Sequence, residues 1–363
     1  MPKASRRVLI AIAALVLPAF LVACGSSDDS GSSSQTGSTQ STESTSKPAA
    51  NGGICITALV GVGLSPNIIE GFESAGEANG LKPTVRIANP QGDLNSALEN
   101  LRTCIQEDPE IITATGLENA AAATPIKEAS EAGIAYIANY AGAAVPGVTA
   151  SVSGSNAGQA EQLVKFAAEN LTEGGDPLKV LVLGVDELIP VKERTDAFVS
   201  LAEEEGWDVT GPVQLSLADP AGSATQKVAA ALASEDYDVI SSPWSDPTAG
   251  TLAAIRQAGD TDVKVLDYDG DVNIFSQMEQ GAPVVAVAGQ PLGTMNKLRE
   301  VLVKRILGDE IPKGEVPEAS CTGPIYTPET VPTDEEWNTN EEGVCAFEGK
   351  DVTSAEISKM AAE

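Results

Sequence analysis

Lys179-Val180-Leu181-Val182-Leu183-Gly184-Val185 is a short β-rich run, followed by an amphipathic stretch over 191–205 and a second β-rich run over 209–217. Strand, helix and strand in that order are the signature of a parallel sheet covered by helices. The rhythm continues outward in both directions. Towards the C-terminus, strands are expected at 237–242, 263–267 and 284–288, with helices at 224–234, 248–258 and 292–307. A helix over 156–171 precedes the quoted run, and before it strands are expected at 54–61, 84–89, 110–115, 134–138 and 148–153. Helices at 67–79, 93–106 and 118–132 fall between those strands, and Asn79-Gly80 and Ala132-Gly133 act as helix stops. Two similar units of about 130 residues make a duplicated α/β architecture with a cleft between them. Ligands in such sheets sit beyond the carboxyl ends of the strands.

Ahead of this body, residues 25–53 are almost all Ser, Thr, Gly, Gln and Asp, too polar to bury a core, and read as a flexible tether. Before the tether stand Lys3, Arg6 and Arg7, a sixteen-residue apolar stretch over 8–23, and the junction Leu21-Val22-Ala23-Cys24-Gly25. That is the layout of an export signal, whereas a membrane span needs ~20 apolar residues. The junction resembles the bacterial lipobox, in which the thiol is lipidated and becomes the mature N-terminus. An ordinary signal peptide with an incidental cysteine is the alternative. The expected layout is a signal peptide over 1–23, then lipidated Cys24 and linker over 24–53, then a body held outside the cell membrane.

The 22 Lys and Arg against 52 Asp and Glu give a formal charge of −30, and loss of Lys3, Arg6 and Arg7 with the signal takes it near −33. A surface of that sign repels phosphate backbones and anionic headgroups, which excludes nucleic acid as a partner. A solvated, solubilising surface accounts for the acid excess, with a cationic ligand as the alternative. Histidine is absent. That removes the Ser-His-Asp and Cys-His arrangements, the usual neutral-pH proton shuttle and the commonest zinc ligand. If Cys24 carries lipid, an even number of cysteines remains for an oxidising compartment. Cys321 and Cys345 share a Pro- and Glu-rich tail; Cys55 opens the first strand and Cys104 ends a helix expected to pack against it. Those are the natural pairs, although spacing alone allows three pairings. A zinc site would need tighter doublets. The acidic run Asp267-Tyr268-Asp269-Gly270-Asp271 hints at a calcium loop, but its twelfth position is Met278 rather than Glu. Neither metal nor cofactor is expected.

Six short pieces carry a family resemblance by their order and spacing. They are Gly71-Phe72-Glu73, Pro90-Gln91-Gly92-Asp93, Glu131-Ala132-Gly133-Ile134, Glu193-Arg194-Thr195-Asp196-Ala197-Phe198, Asp267-Tyr268-Asp269-Gly270 and Val287-Ala288-Gly289-Gln290-Pro291. Together they resemble the type I periplasmic solute-binding proteins, especially the ribose-like sugar-binding branch, from residue 54 to about 331. The resemblance implies an α/β fold of two Rossmann-like parallel-sheet lobes joined by a three-segment hinge, with crossings near Ser153, Gln290 and Cys321. It places 54–152 plus 291–320 in an N-terminal lobe, and 153–290 plus 321–363 in a C-terminal lobe and tail. Closure of two lobes about a few hinge residues is a standard transition for binding proteins.

The resemblance also implies the ligand contacts. Arg194 matches a family arginine that donates to sugar oxygens, a task suited to a planar five-donor fork; pairing with Glu193 or Asp196 on the surface is the plain alternative. Asp269 matches an aspartate that accepts from two hydroxyls, with an Asp-Gly turn as its alternative. Gln290 stands where the family has a hinge glutamine. Trp244 and Asp246 stand where it has an Asn-Asp pair, and an exposed Trp there could stack on a ligand's apolar face. Asn139 and Tyr140 take the place of an Asp-Arg pair, and Thr115 that of a contacting asparagine. Neither Arg194 nor Asp269 is expected in a core. One departure stands out: where the family presents two ring-clamping aromatics, this chain has Leu64-Ser65-Pro66-Asn67-Ile68-Ile69. Contacts from Ser65 and Asn67 are expected to be weak or water-mediated. With that aromatic wall missing and the Asp-Arg pair replaced, a simple aldopentose or aldohexose is in doubt, and a polyol, modified sugar or other small polar metabolite fits as well.

The function expected on these grounds is capture of a small polar solute by a monomeric receptor that serves an ABC permease. Two alternatives compete. One is a sensor of the same fold that binds an amino-acid-like, nucleoside or autoinducer-type metabolite. The other is a glycosidase using two carboxylates such as Asp246 and Asp269.

Overall fold

The computed structural model describes residues 52–362 except 60, 62–63, 89–92, 118–119, 140–144, 173–175, 260–261 and 312–314. The signal and lipidation readings, Cys24 included, and the candidate Tyr140 lie outside the described residues. Among the described residues no helix is long and apolar enough to cross a membrane.

The first sheet is built from β1 (Gly53–Ala58), β2 (Lys82–Ile87), β3 (Ile111–Thr115), β4 (Ala135–Asn139) and β5 (Ala150–Gly154), parallel in the spatial order β2-β1-β3-β4-β5. β3 and β5 are buried at every position, as expected of strands covered on both faces, whereas the edge strand β2 is nowhere fully buried. Helix α1 (Ser65–Ala78) turns Ile68, Phe72 and Ala75 onto Ile54 and Ile56 of β1. Helices α2 (Leu94–Gln106) and α3 (Ala123–Glu131) bury Leu98, Leu101, Ile126 and Ala129 in a separate cluster with Ile112, Ala114 and Ile134. The Cys55–Cys104 disulfide ties β1 to the end of α2. The two expected helix stops are left-handed glycines, Gly80 at φ 75° and Gly133 at φ 78°.

The second sheet repeats the plan with β6 (Lys179–Gly184), β7 (Asp208–Gln214), β8 (Val239–Ser241), β9 (Lys264–Tyr268) and β10 (Val284–Ala288), parallel in the order β7-β6-β8-β9-β10. Its helices are α4 (Asn156–Asn170), α5 (Ile189–Glu204), α6 (Pro220–Leu232), α7 (Ser245–Ala258) and α8 (Val272–Glu279). The sequence reading did not anticipate α8. Its start is fixed by Asp271, whose Oδ1 accepts the Ile274 N–H at 2.8 Å.

Passages between the sheets lie between β5 and α4, between β10 and α9 (Leu292–Leu307), and between β11 (Glu318–Thr322) and β12 (Ile325–Tyr326). α9 packs on α1, β11 pairs with β5 in the first sheet, and β12 pairs antiparallel with β10 in the second. Gln290 lies at the centre of these passages. A Cβ on Gly154 would come within 2.9 Å of its side chain, and one on Gly323 within 2.7 Å of its backbone, so close approach requires glycine at both positions.

The tail differs from expectation. The resemblance places residues 321–363 with the second lobe, but after β12 the chain turns back a further time. Helix α10 (Asp334–Thr339) lies against α9, β13 (Val344–Phe347) pairs with β11, β14 (Lys350–Val352) pairs with β13, and α11 (Ser354–Ala362) covers α9. The tail thus extends the first sheet to eight strands. Cys345 lies directly opposite Cys321 in the antiparallel pair and is disulfide-bonded to it. Alternation along β13 buries Cys345 and Phe347, which join Trp337 and Ile357 in the core.

Candidate functional site

Immediately after β9 the chain makes two consecutive left-handed residues, Asp269 at φ 68° and Gly270 at φ 73°. Asp tolerates this region better than most residues, so the Asp-Gly turn given as the alternative reading of Asp269 is present here. The Asp269 carboxylate meets Arg194 of α5, whose Nη1 donates to Oδ2 at 2.8 Å. Arg194 also donates from Nη1 to the Pro243 carbonyl at 2.9 Å, and from Nε and Nη2 to Asn156 Oδ1 at 3.3 and 3.1 Å. Its guanidinium lies 5.0 Å from the centre of the Tyr268 ring. On the other side of the carboxylate, Asp269 Oδ1 accepts from Gln159 Nε2 at 3.0 Å and from Gln290 Nε2. Gln159 donates as well to the Ala288 carbonyl at 2.8 Å. Side chains from α4 and α5 and from the segments after β9 and β10 thus converge at the carboxyl ends of these strands, next to the passages.

Arg194 is 3% exposed and Asp269 7%, so the expectation that neither sits in a core is corrected. The cause is helical spacing. Val191, Arg194, Thr195 and Phe198 share the buried face of α5, which carries the guanidinium inward. A buried ion pair is tolerated when its remaining hydrogen-bonding capacity is met, as Asn156, Pro243, Gln159 and Gln290 do here. Asn156 and Gln159 were missed from sequence. Their signal was available: two polar residues three apart on the face of α4 that otherwise buries Ala160, Leu163, Val164 and Ala167.

The other second-lobe candidates adjoin this network. Trp244, half-buried, precedes α7, and its Nε1 donates to Asp246 Oδ2 at 3.4 Å. Burial pushes the Asp246 carboxyl above its ordinary value; the Trp244 hydrogen bond opposes that shift and the charge on Asp271 adds to it. Asp267 is wholly buried, and Thr248 Oγ1 donates to its Oδ1 at 2.6 Å. Burial drives the Asp267 carboxyl well above 3.8, the Thr248 hydrogen bond opposes this, and the charges of Asp269 and Asp271 add to it. The folded state therefore holds this proton more tightly than the unfolded chain. The resulting stability is fully present below about pH 3.8 and is lost as pH rises through the folded-state value. Asp267→Asn, which mimics the protonated acid and can still accept from Thr248, is expected to raise Tm at pH 7, with the gap closing towards pH 4. Thermal melts of both forms across that range check this; parallel curves would contradict it.

In the first lobe, Thr115 and Asn139 are buried at the ends of β3 and β4, and Asn139 Nδ2 donates to Thr113 Oγ1 at 2.8 Å and to the Ala114 carbonyl at 2.9 Å. Ser65 and Asn67 occupy the first turn of α1, where Asn67 Nδ2 donates to Asn338 Oδ1 of α10. Among the described residues no group of three or more Cys, Asp or Glu side chains is placed to hold a metal ion.

A family model described as a periplasmic binding protein domain matches residues 65–310. The carbohydrate transporter solute-binding protein of Agrobacterium radiobacter, in complex with D-arabinose, is similar at a TM-score of 0.68 and 16% identity, over 80% of this chain and 99% of that one. An ABC transporter solute-binding protein of Agrobacterium vitis, bound with alpha-D-tagatopyranose, gives 0.66 and 17%, over 78% and 97%. One from Bacillus halodurans C-125, with bound myo-inositol, gives 0.65 and 17%, over 81% and 99%. No curated protein matches the chain. At these identities the likeness is one of fold.

Proposed function

The chain belongs to the periplasmic binding protein family, and we propose that it is a monomeric extracytoplasmic receptor that captures a small polar solute for an ABC-type importer. The two-sheet fold is that of the type I members. The observation that carries the reading is the network of Arg194, Asp269 and Gln290, assembled at the strand ends where open α/β sheets bind ligands. The solute class proposed is a sugar, polyol or sugar derivative; the similar structures in complex with D-arabinose and with myo-inositol support it. A glycosidase reading fares worse, because Asp269 is taken up as the counter-ion of the buried Arg194. Thermal-shift screening against sugars, polyols, amino acids and nucleosides tests solute capture. A solute at ~100 times its dissociation constant adds ~2.7 kcal/mol. A shift with sugars or polyols supports the reading, a shift with amino acids or nucleosides alone favours the sensor alternative, and no shift anywhere counts against both.

The proposal includes a lipid anchor at Cys24, on the strength of the Leu21-Val22-Ala23-Cys24 junction and the polar tether after it. Intact mass of the membrane-extracted protein should correspond to a chain beginning at Cys24 plus acyl groups. A chain beginning there without added acyl mass would sink the anchor.

A further inference from the structure

Helix α10 touches both lobes. The first lobe holds it through Asn67, which donates to Asn338, through the Gly293 N–H, which donates to the Asn340 carbonyl at 2.8 Å, and through Thr294 Oγ1, which donates to the Glu341 carbonyl at 3.3 Å. From the second lobe, Phe275 of α8 meets Trp337 edge-on, with ring centroids 5.8 Å apart and planes at 79°. Phe275 also meets Tyr326 of β12 edge-on at 5.3 Å, and the Tyr326 hydroxyl accepts from Asn340 Nδ2 at 3.1 Å. Trp337 is 3% exposed, a burial to which residues of both lobes contribute.

The segment is braced at both ends. Thr333 and Glu336 form a reciprocal capping box at the start of α10, and the Cys321–Cys345 disulfide pins the chain beyond it to β11. Such bracing suits a fixed bridge rather than a swinging lid. The lobes also touch elsewhere, since Ile189 at the start of α5 packs against the first-lobe cluster that contains Leu59 and Leu98. Residues 334–339 lie outside the span 65–310 matched by the family model, so family membership does not supply this element.

We propose that α10 is a strap that holds the two lobes together, and that opening of the cleft requires the Trp337 ring to leave Phe275. The inference rests on the two-lobe binding reading but not on which solute is bound. Hinge motion separates lobes joined only by short connections, and a contact across them biases that equilibrium. An aromatic edge contact contributes ~0.5–1.5 kcal/mol, so its loss should raise the ratio of open to closed forms by ~2- to 12-fold. Solute affinity would fall with the binding-competent fraction.

The test needs no solute. Spin labels at Lys127→Cys and Lys165→Cys, two exposed positions on α3 and α4, report the interlobe distance in the full chain. The otherwise unaltered labelled chain should give one narrow distribution, and Trp337→Ala should add a longer component. Phe275→Leu, which removes the ring pair while retaining apolar volume, should shift it the same way and decides the matter if Trp337→Ala does not fold. Distances unchanged in the folded variants would overturn the strap. A failed solute screen would leave this result untouched, so the two proposals fail separately.

Discussion

Asp269→Ala is expected to cost ~3–5 kcal/mol of folding stability, in addition to any loss of solute binding. The carboxylate is the counter-ion of Arg194, which is 3% exposed and 2.8 Å away. Removing it strands a buried cation and leaves Gln159 and Gln290 without an acceptor they share. The same logic predicts that Arg194→Met combined with Asp269→Leu costs less than Asp269→Ala alone, because the double change leaves no uncompensated charge. Urea unfolding of the three proteins measures this. A loss below ~1 kcal/mol for Asp269→Ala would show that the pair is hydrated and dispensable to the fold.

Replacing both Cys55 and Cys104 by Ser is the second large perturbation. Their link spans a sequence separation of 49 and joins β1, paired on both sides by β2 and β3, to the end of α2. In the chain-entropy picture a loop of that length restricts the unfolded chain by ~4 kcal/mol, against ~3.5 kcal/mol for the shorter Cys321–Cys345 loop. Both sulfurs lie in the apolar cluster with Leu101 and Ile112, so the serine hydroxyls would also be buried. Chemical denaturation should therefore show the Cys55/Cys104 variant as the weaker of the two disulfide-deleted proteins. The reverse order would mean that strain or residual structure outweighs loop length.

Much of the fold was legible because each βα unit is local. β10 and α9 have the expected bounds, and the glycine stops at Gly80 and Gly133 lie where the helix patterns end. Misjudged boundaries have identifiable causes. α6 begins at Pro220 because Asp219 caps it and proline suits a first helical turn, whereas the apolar pattern alone begins later. α8 escaped notice because its eight residues follow an acidic turn and bury only Ile274, Phe275 and Met278. The tail was harder still. Its strands are two to five residues long and its pairing with β5 and β11 is non-local, so the cysteines foretold their own partnership but not the sheet they would join. At the site, the family resemblance led to Arg194, Asp269 and Gln290, which do converge. Their burial was not legible, since charged residues read as exposed until their partners are known. Those partners, Asn156 and Gln159, carry no motif and are polar residues on a buried helix face.

The central claim, binding without chemistry, is tested most directly by titration calorimetry of the wild-type protein with the sugar or polyol that gives the largest thermal shift, followed by recovery of the solute. The account predicts a saturating isotherm with one solute per chain and solute recovered unchanged. Continuous heat with a converted product, or no saturable binding of any solute in the panel, would contradict it.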